Sequence, residues 1–160
     1  DIAASLNNLG LAYQNLGGTA NLERAIGYYE ESLKIKRQLY PGGVQAEIAQ
    51  SLGGLSFTRL FVGQYPEALR DAREALQIGP VELWIRANEA HALLLMDRQA
   101  EALAIYVQYR DQPVKAGQTF REAVLEDFAA LRKAGVNHPG MAKVEELYGQ
   151  PAATPDRARP

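Results

Sequence analysis

The chain has 160 residues, 47% of them hydrophobic, with 17 basic and 19 acidic side chains, which suits one domain with a sizeable core. Because charges of opposite sign alternate along the sequence and form no basic face, we expect no nucleic-acid partner. The absence of cysteine excludes disulfides, a thiolate nucleophile and a sulfur-rich zinc site.

Neither a membrane-spanning segment nor a signal peptide is visible. The longest apolar run, Ala92 to Met96, is far too short to cross a bilayer. We therefore expect no membrane partner; the compartment is unknown, and the cytoplasm is favoured on these grounds alone. The chain opens with "DIAASLNNLG", already within a helical pattern and without an initiator Met, so we expect a piece of a longer protein.

Helical periodicity with clear start and stop signals predicts eight helices. In chain order they cover residues 2–16, 21–39, 45–62, 65–78, 81–96, 98–110, 119–134 and 139–148. Pro66 falls in the first turn of its helix, where a missing N–H costs nothing. Thr119 with Glu122 predicts a capping box, and Gly135 suits a left-handed helix end. Residues 149–160 lack an apolar period, so we expect an unstructured tail.

Two internal repeats connect these helices. The segment "DIAASLNNLG" at Asp1 recurs as "EIAQSLGGLS" at Glu47, and Ala68 in "PEALRDAREAL" recurs as Ala102 in "AEALAIY". A stripe of small residues from Ala68 to Ala75 lets a neighbouring helix approach closely, which is typical of helical hairpins that stack on one another. The two repeats have different spacings, which longer loops can absorb without disturbing the packed faces.

These residues resemble the tetratricopeptide repeat family. The second unit matches the turn and second helix of that pattern with Gly63, Tyr65, Ala68, Ala75 and Pro80. The first unit is similar to the kinesin-light-chain type of the repeat through Leu9, Gly10, Tyr13, Gly17, Ala25 and Tyr29. The third unit keeps Ala90, Ala102 and Tyr106. The chain departs from the pattern at Arg59, where a large aromatic residue is usual, and at Asp97, which replaces the turn glycine.

The resemblance implies an all-α, right-handed α-α superhelix of stacked helical hairpins without a β-sheet. We expect about three repeats over residues 1–110, divided at about 1–43, 44–80 and 81–110, and a helix pair within 111–148 that caps the array. A stack of hairpins ends with an exposed apolar surface that something must cover. In the seventh predicted helix, the face that would cover it is formed by Phe120, Val124, Phe128 and Leu131.

Catalytic chemistry is not indicated by the sequence. The two histidines are His91 and His138. His138 precedes Pro139 at a predicted helix start, where its side chain can act as a cap. His91 has no sequence-near Asp, Glu or Ser at a spacing that would make it a base with an oriented partner, so we expect it to be packed or to face a binding surface. We therefore predict no enzyme activity, no cofactor and no metal site.

Function is therefore expected on a surface, and the resemblance implies a concave groove lined by the first helix of each hairpin. Carried over by register, the groove-facing residues are Asn8, Leu11 and Asn15 in the first unit, Gly54, Phe57 and Phe61 in the second, and Trp84, Asn88 and His91 in the third. Asparagine amides could hold an extended peptide backbone, and the aromatic rings could form apolar pockets. The competing interpretations are solvated helix residues for the asparagines and core packing for the rings.

Two glycines interrupt the third predicted helix. Gly53 and Gly54 stand where the first unit has Asn7 and Asn8. Each costs about 1 kcal/mol of helix propensity against Ala. Either a ligand or a neighbouring helix therefore comes close there, or the helix begins late.

The predicted function is a protein–protein interaction module that holds a peptide or a partner helix in its groove. The alternative is an intramolecular scaffold or regulatory segment that packs on another domain of the same longer chain. Self-association through the open N-terminal hairpin is also left open. A clamp for acidic tails is disfavoured, because it needs groove Lys and Arg where the chain has Ala4, Asn7 and Leu11.

Overall fold

Eight helices and one short strand pair make up the part of the chain that the computed structural model describes, residues 1–43 and 45–149. In chain order the elements are α1 (Ile2–Leu16), α2 (Thr19–Leu39), α3 (Gln45–Phe61), α4 (Tyr65–Ile78), α5 (Leu83–Leu95), α6 (Gln99–Gln108), β1 (Pro113–Lys115), β2 (Gln118–Thr119), α7 (Phe120–Lys133) and α8 (Pro139–Gly149). All eight predicted helices are present, and the predicted all-α class is confirmed.

The ends of α7 follow the predicted signals. Thr119 and Glu122 build the capping box: the Glu122 carboxylate accepts a hydrogen bond from the Thr119 backbone N–H at 2.8 Å, and the Thr119 hydroxyl accepts one from the Glu122 backbone N–H. The hydrogen bonds that the Glu122 carboxylate accepts from the Thr119 backbone N–H and hydroxyl lower the pKa of this carboxyl. Gly135 follows the helix at φ 84°, a left-handed conformation that glycine adopts without steric cost. The sequence therefore specifies both ends of α7 locally.

The turn after α5 forms without glycine. Asp97 takes its place at φ 62°, a conformation that Asp tolerates better than most residues. The Asp97 carboxylate also lies 2.6 Å from His138 Nε2. His138 acts as the predicted cap, since its Nδ1 accepts from the Gly140 N–H at 2.9 Å. This pair of contacts ties the start of α8 to the turn between α5 and α6.

The helices pack in the order of a hairpin stack. Each helix from α1 to α5 packs on the next one along the chain, and α1 also contacts α3, α3 contacts α5, and α5 contacts α7. This pattern places α1, α3 and α5 side by side. The small residues of α4, Ala68, Ala72 and Ala75, are fully buried. Their size lets neighbouring helices approach closely, as the small-residue stripe predicted.

Buried polar contacts join the first three helices. Lys36 of α2, almost fully buried, donates to the Ser51 hydroxyl of α3 at 2.9 Å. Ser51 in turn donates to the Asn7 amide oxygen of α1 at 2.6 Å, and Ser32 donates to the Ala3 carbonyl at 2.7 Å. Burial lowers the pKa of Lys36. Because unpaired buried polar groups are costly, these bonds fix how the three helices sit on one another.

Arg59, which stands where the repeat pattern has a large aromatic residue, is a buried side chain of α3. Its guanidinium forms ion pairs with the buried Asp71 of α4 and with Glu30 of α2. Burial raises the pKa of Asp71, although the guanidinium of Arg59 opposes that shift. The two ion pairs join α2, α3 and α4. Removing Asp71 would leave the charge of Arg59 uncompensated in the interior.

A short strand pair follows α6, and the expectation of a fold without any β-sheet is wrong at this point. β1 and β2 pair antiparallel, with Pro113 opposite Thr119 and Lys115 opposite Gln118. Gly117 turns the chain between them at φ 79°, in the left-handed region that tight turns use. The strand pair contacts both α5 and α7, so it lies beside the first helix of the third hairpin.

α7 and α8 continue the core of the third hairpin. The predicted apolar face of α7 is buried at Phe120, Val124, Phe128 and Leu131. It shares one core with Tyr106 of α6 and Met141 of α8, and the rings of Tyr106 and Phe128 meet edge to face with centroids 5.8 Å apart. The division into repeats and a cap stays a prediction. Of the predicted tail 149–160, Gly149 ends α8 and the rest lies outside the described residues.

Phe128→Ala is expected to lower the free energy of unfolding by about 3–5 kcal/mol, the usual loss for removing a core aromatic ring. The Phe128 side chain is 1% exposed and contacts the rings of Tyr106 and His91. Denaturant melts of variant and wild type measure the loss. Leu125→Ala is the control on the same helix, because Leu125 is 37% exposed. A loss below about 1 kcal/mol for Phe128→Ala would contradict the placement of α7 in the core.

Candidate functional site

A groove of about 670 Å³ lies across the first helices of the three hairpins and is bordered by the β1–β2 strand pair and α7. Its apolar lining comes from Leu11, Phe57, Trp84 and Val114. Side-chain amides line it at Asn7, Gln14, Gln50, Asn88 and Gln118. This combination suits a ligand that has apolar side chains and unpaired hydrogen-bonding groups.

The two glycines of α3 set how closely neighbouring side chains approach that helix. A Cβ atom on Gly53 would lie 2.3 Å from Trp84 Cη2, and a Cβ atom on Gly54 would lie 2.9 Å from Tyr29 Cζ. Because α3 begins at Gln45, a late helix start does not explain the glycines. The rings of Trp84 and Tyr29 rest on the bare backbone of α3, so the glycine pair marks a close approach of neighbouring helices.

The hydroxyl of Tyr29 orients one of the groove amides. Burial raises the pKa of Tyr29 to about 12, so the hydroxyl keeps its proton at neutral pH and donates to Gln14 Oε1 at 3.0 Å. The Thr58 hydroxyl lies 2.8 Å from the same oxygen. Two hydroxyl groups on different helices therefore hold the Gln14 amide in one orientation.

The structure brings five of the predicted groove positions together and leaves four outside. Those that line the groove are Leu11, Gly54, Phe57, Trp84 and Asn88. Outside it lie Asn8 and Asn15, which are exposed, Phe61, whose ring packs edge to face on Phe57 at 5.0 Å, and His91, which is buried. The binding role of the five residues stays a prediction, and their proximity is what the structure adds.

A shift of one residue accounts for the displaced positions on α1. The groove side of this helix falls at Asn7, Leu11 and Gln14, whereas the family register pointed to Asn8 and Asn15. Each residue turns an α-helix by about 100°. A shift of one residue therefore moves a side chain from the groove to the neighbouring face.

Asn88 lines the groove but already has a structural partner. Its side chain is 1% exposed, and its Nδ2 donates to the Gly53 carbonyl at 3.1 Å. This bond ties α5 to α3 beside the ring of Trp84. Asn88 therefore holds α5 against α3, and its binding role stays a prediction.

His91 belongs to a buried hydrogen-bond chain that sequence spacing did not reveal. Its Nδ1 lies 2.8 Å from the Tyr106 hydroxyl, and its Nε2 lies 2.9 Å from Asp127 Oδ2, 36 residues further along the chain. His91 and Tyr106 are 1% and 0% exposed. This chain of contacts joins α5, α6 and α7, and neither His91 nor Tyr106 is exposed to the groove.

Charged residues line the groove as well. The carboxylates of Glu82, Glu126 and Asp127, which we call the groove carboxylates, are accompanied in the described lining by the ammonium of Lys115. Sequence reasoning missed Lys115, Glu126 and Asp127 because it predicted no strand pair and assigned α7 only as a cap. Glu82, the residue before α5, was not among the positions carried over by register. The signal that could have revealed the strand pair is "VKAGQT", in which a turn glycine separates β-prone residues.

Within the described residues, no group of three or more His, Cys, Asp or Glu side chains is arranged to hold a metal ion. None of the helices in that part of the chain is both long and apolar enough to cross a membrane.

A family model described as tetratricopeptide repeat matches residues 1–80, which is half of the chain and includes α1 to α4. No curated protein and no solved structure matches the chain. The groove residues of α1 and α3 lie within the matched half. Trp84 and the groove carboxylates lie beyond it.

Gly53→Ala is expected to destabilise the fold by about 1–3 kcal/mol, because the new methyl group overlaps Trp84 and overpacking outweighs the gain in helix propensity. Gly27→Ala is the matched control: Gly27 lies within α2, and nothing lies within 4 Å of a Cβ atom placed there. The control should gain about 0.5–1 kcal/mol from helix propensity alone. Denaturant melts measure both, and equal stabilisation of the two variants would contradict the close approach at Gly53.

Proposed function

Because the chain belongs to the tetratricopeptide repeat family, whose repeats generally mediate protein–protein interaction, we propose that its groove binds a segment of a partner protein. The observation that carries this proposal is the convergence of apolar side chains and amides from α1, α3 and α5 in one groove of about 670 Å³. Residues from Leu11 to Trp84 are distant in sequence but border the same space, so one ligand could contact all of them.

The groove amides favour an extended segment over a helix as the ligand. An extended backbone presents N–H and C=O groups that still need partners, whereas a helix satisfies its own. These amides come from α1 at Asn7 and Gln14, from α3 at Gln50 and from β2 at Gln118. The oxygens of Asn7 and Gln14 already accept from hydroxyl groups, which leaves their N–H groups to donate to the segment. The apolar residues Leu11, Phe57 and Trp84 would then receive the side chains of the segment.

The outer face of α1 supports a second contact surface. Ile2, Leu9 and Leu16 recur every seven residues, which places them on one side of the helix, and they are 73%, 42% and 70% exposed. Self-association through this face, or its packing on another domain of the same longer chain, is the alternative function that the observation favours. Sedimentation velocity over a range of concentrations separates the two. Self-association is supported if the wild type forms a dimer and the double variant Leu9→Lys with Leu16→Lys does not. A wild type that stays monomeric at every concentration contradicts it.

Two finer assignments belong to the same proposal. The first hairpin is proposed to be of the kinesin-light-chain type, supported by the contact of its pattern residues Gly10 and Tyr29: a Cβ atom on Gly10 would lie 3.0 Å from the Tyr29 ring. The family is a non-catalytic interaction family, and His91 is buried, so it is placed to pack and not to contact a ligand.

Leu11→Gln tests the groove as the binding surface. Peptides selected on the wild-type chain from a random display library serve as the probe, and isothermal titration calorimetry measures their affinity. Leu11 lines the groove and is 47% exposed, so the variant should fold normally and bind about fivefold more weakly or worse. Leu39→Gln is the control, because Leu39 is 63% exposed and lies outside the groove.

Unchanged affinity in both variants would place the bound peptides elsewhere on the surface and would contradict the groove proposal. Equal weakening in both would do the same, since Leu39 does not touch the groove. Thermal melts of the two variants show whether any loss comes from unfolding instead of a lost contact.

A further inference from the structure

Each groove carboxylate lies within hydrogen-bond distance of a side-chain nitrogen. Glu82 accepts from the Trp84 indole N–H, which lies beside it in the lining. Glu126 accepts from the Gln118 amide at 2.6 Å. Asp127 lies 2.9 Å from His91 Nε2. These contacts orient the three carboxylates.

Between described residues, no Lys or Arg forms an ion pair with any groove carboxylate, and the charged partner lining the same space is Lys115 alone. Carboxylates elsewhere in the described chain do pair with arginines, as at Glu30, Asp71, Glu74, Glu89, Glu101 and Glu145. The groove therefore carries an excess of negative charge that the protein does not neutralise as it does at those other sites.

The position of Asp127 is fixed from the core. The His91 ring joins both partners: its Nδ1 lies 2.8 Å from the Tyr106 hydroxyl, which donates to it, and its Nε2 faces Asp127; these roles are assigned from the partners. Burial raises the pKa of Tyr106 well above its usual value, so the hydroxyl keeps the proton that it donates. Since a carboxylate has about four acceptor sites on its two oxygens, Asp127 retains acceptors for a ligand.

We propose that the groove selects extended protein segments in which arginine or lysine accompanies an apolar residue, with the cation contacting Glu126 and Asp127. This inference rests on the proposed function and adds the chemistry of the partner. Pre-oriented carboxylates at the edge of an apolar groove stabilise an ammonium or guanidinium more than carboxylates that rotate freely, because fewer side chains become ordered on binding. A guanidinium can also contact two carboxylate oxygens at once. An acidic segment would meet like charges and be rejected.

The experiment compares peptide selection on three forms of the chain. A random peptide display library is selected on the wild type, on Glu126→Gln with Asp127→Asn, and on Glu31→Gln with Glu146→Gln. The last pair changes the net charge equally at exposed residues outside the groove. Glu126→Gln and Asp127→Asn each keep a side-chain oxygen that can accept from Gln118 and His91, respectively. The fold should therefore be retained, and thermal melts check this.

Peptides from the wild-type selection should be enriched in Arg and Lys relative to the unselected library. A representative peptide should bind about tenfold more weakly to the groove double variant, because two partly screened charge contacts are lost. It should bind the control variant as tightly as the wild type. Its affinity for the wild type should fall as salt is raised, because salt screens exposed charges.

The possible failures separate the two proposals. Neutral or acidic peptides that still depend on Leu11 would overturn the charge preference and leave groove binding standing. Basic peptides whose affinity is unchanged by the groove double variant would also overturn it. The absence of any selected peptide, or peptides insensitive to Leu11→Gln, would overturn both. If the double variant melts at a lower temperature, the single variant Glu126→Gln decides between these outcomes. Glu126 is exposed, and within the described residues its carboxylate accepts from Gln118.

Discussion

The close approach of two aromatic rings to the backbone of α3 constrains the rest of the structure. At Gly53 and Gly54 there is no side chain, so Trp84 from the third hairpin and Tyr29 from the first can both rest on this helix. The Gly53 carbonyl then receives the Asn88 amide at 3.1 Å, which fixes α5 against α3. A larger residue at either glycine would push the neighbouring hairpins apart. The spacing of α1, α3 and α5, and with it the width of the groove, depends on these two positions.

Residues that pack the core also orient side chains that line the groove. The Tyr29 hydroxyl holds the Gln14 amide in the lining, while the Tyr29 ring lies between helices. On the opposite border, His91 and Tyr106 are core residues, yet their hydrogen bonds orient Asp127 at the surface. Preorganisation of this kind reduces the entropy that a ligand must lose on binding. The proposed binding site is therefore supported from the core and does not consist of surface residues alone.

Local signals predicted the helices well because a helix end depends on residues close in sequence. The capping box at Thr119 and the left-handed Gly135 are examples. The groove was predicted only in part, because its lining depends on which side of each helix faces the neighbours. Leu11, Phe57 and Trp84 were predicted correctly, but on α1 the groove has Asn7 and Gln14 in place of the predicted Asn8 and Asn15. The contact between His91 and Asp127 spans 36 positions, and no pattern of local spacing reports a contact of that length.

We propose that the groove bordered by α1, α3, α5 and α7 is the binding surface. Trp84 provides a direct probe of this claim because it is the chain's one tryptophan. Its ring lines the groove and its indole N–H contacts Glu82. The measurement is the emission of Trp84 during titration with a tryptophan-free peptide whose binding calorimetry has established. Binding in the groove predicts a saturable change in emission over the same concentration range as the heat signal. Saturating binding by calorimetry with unchanged Trp84 emission would contradict the claim.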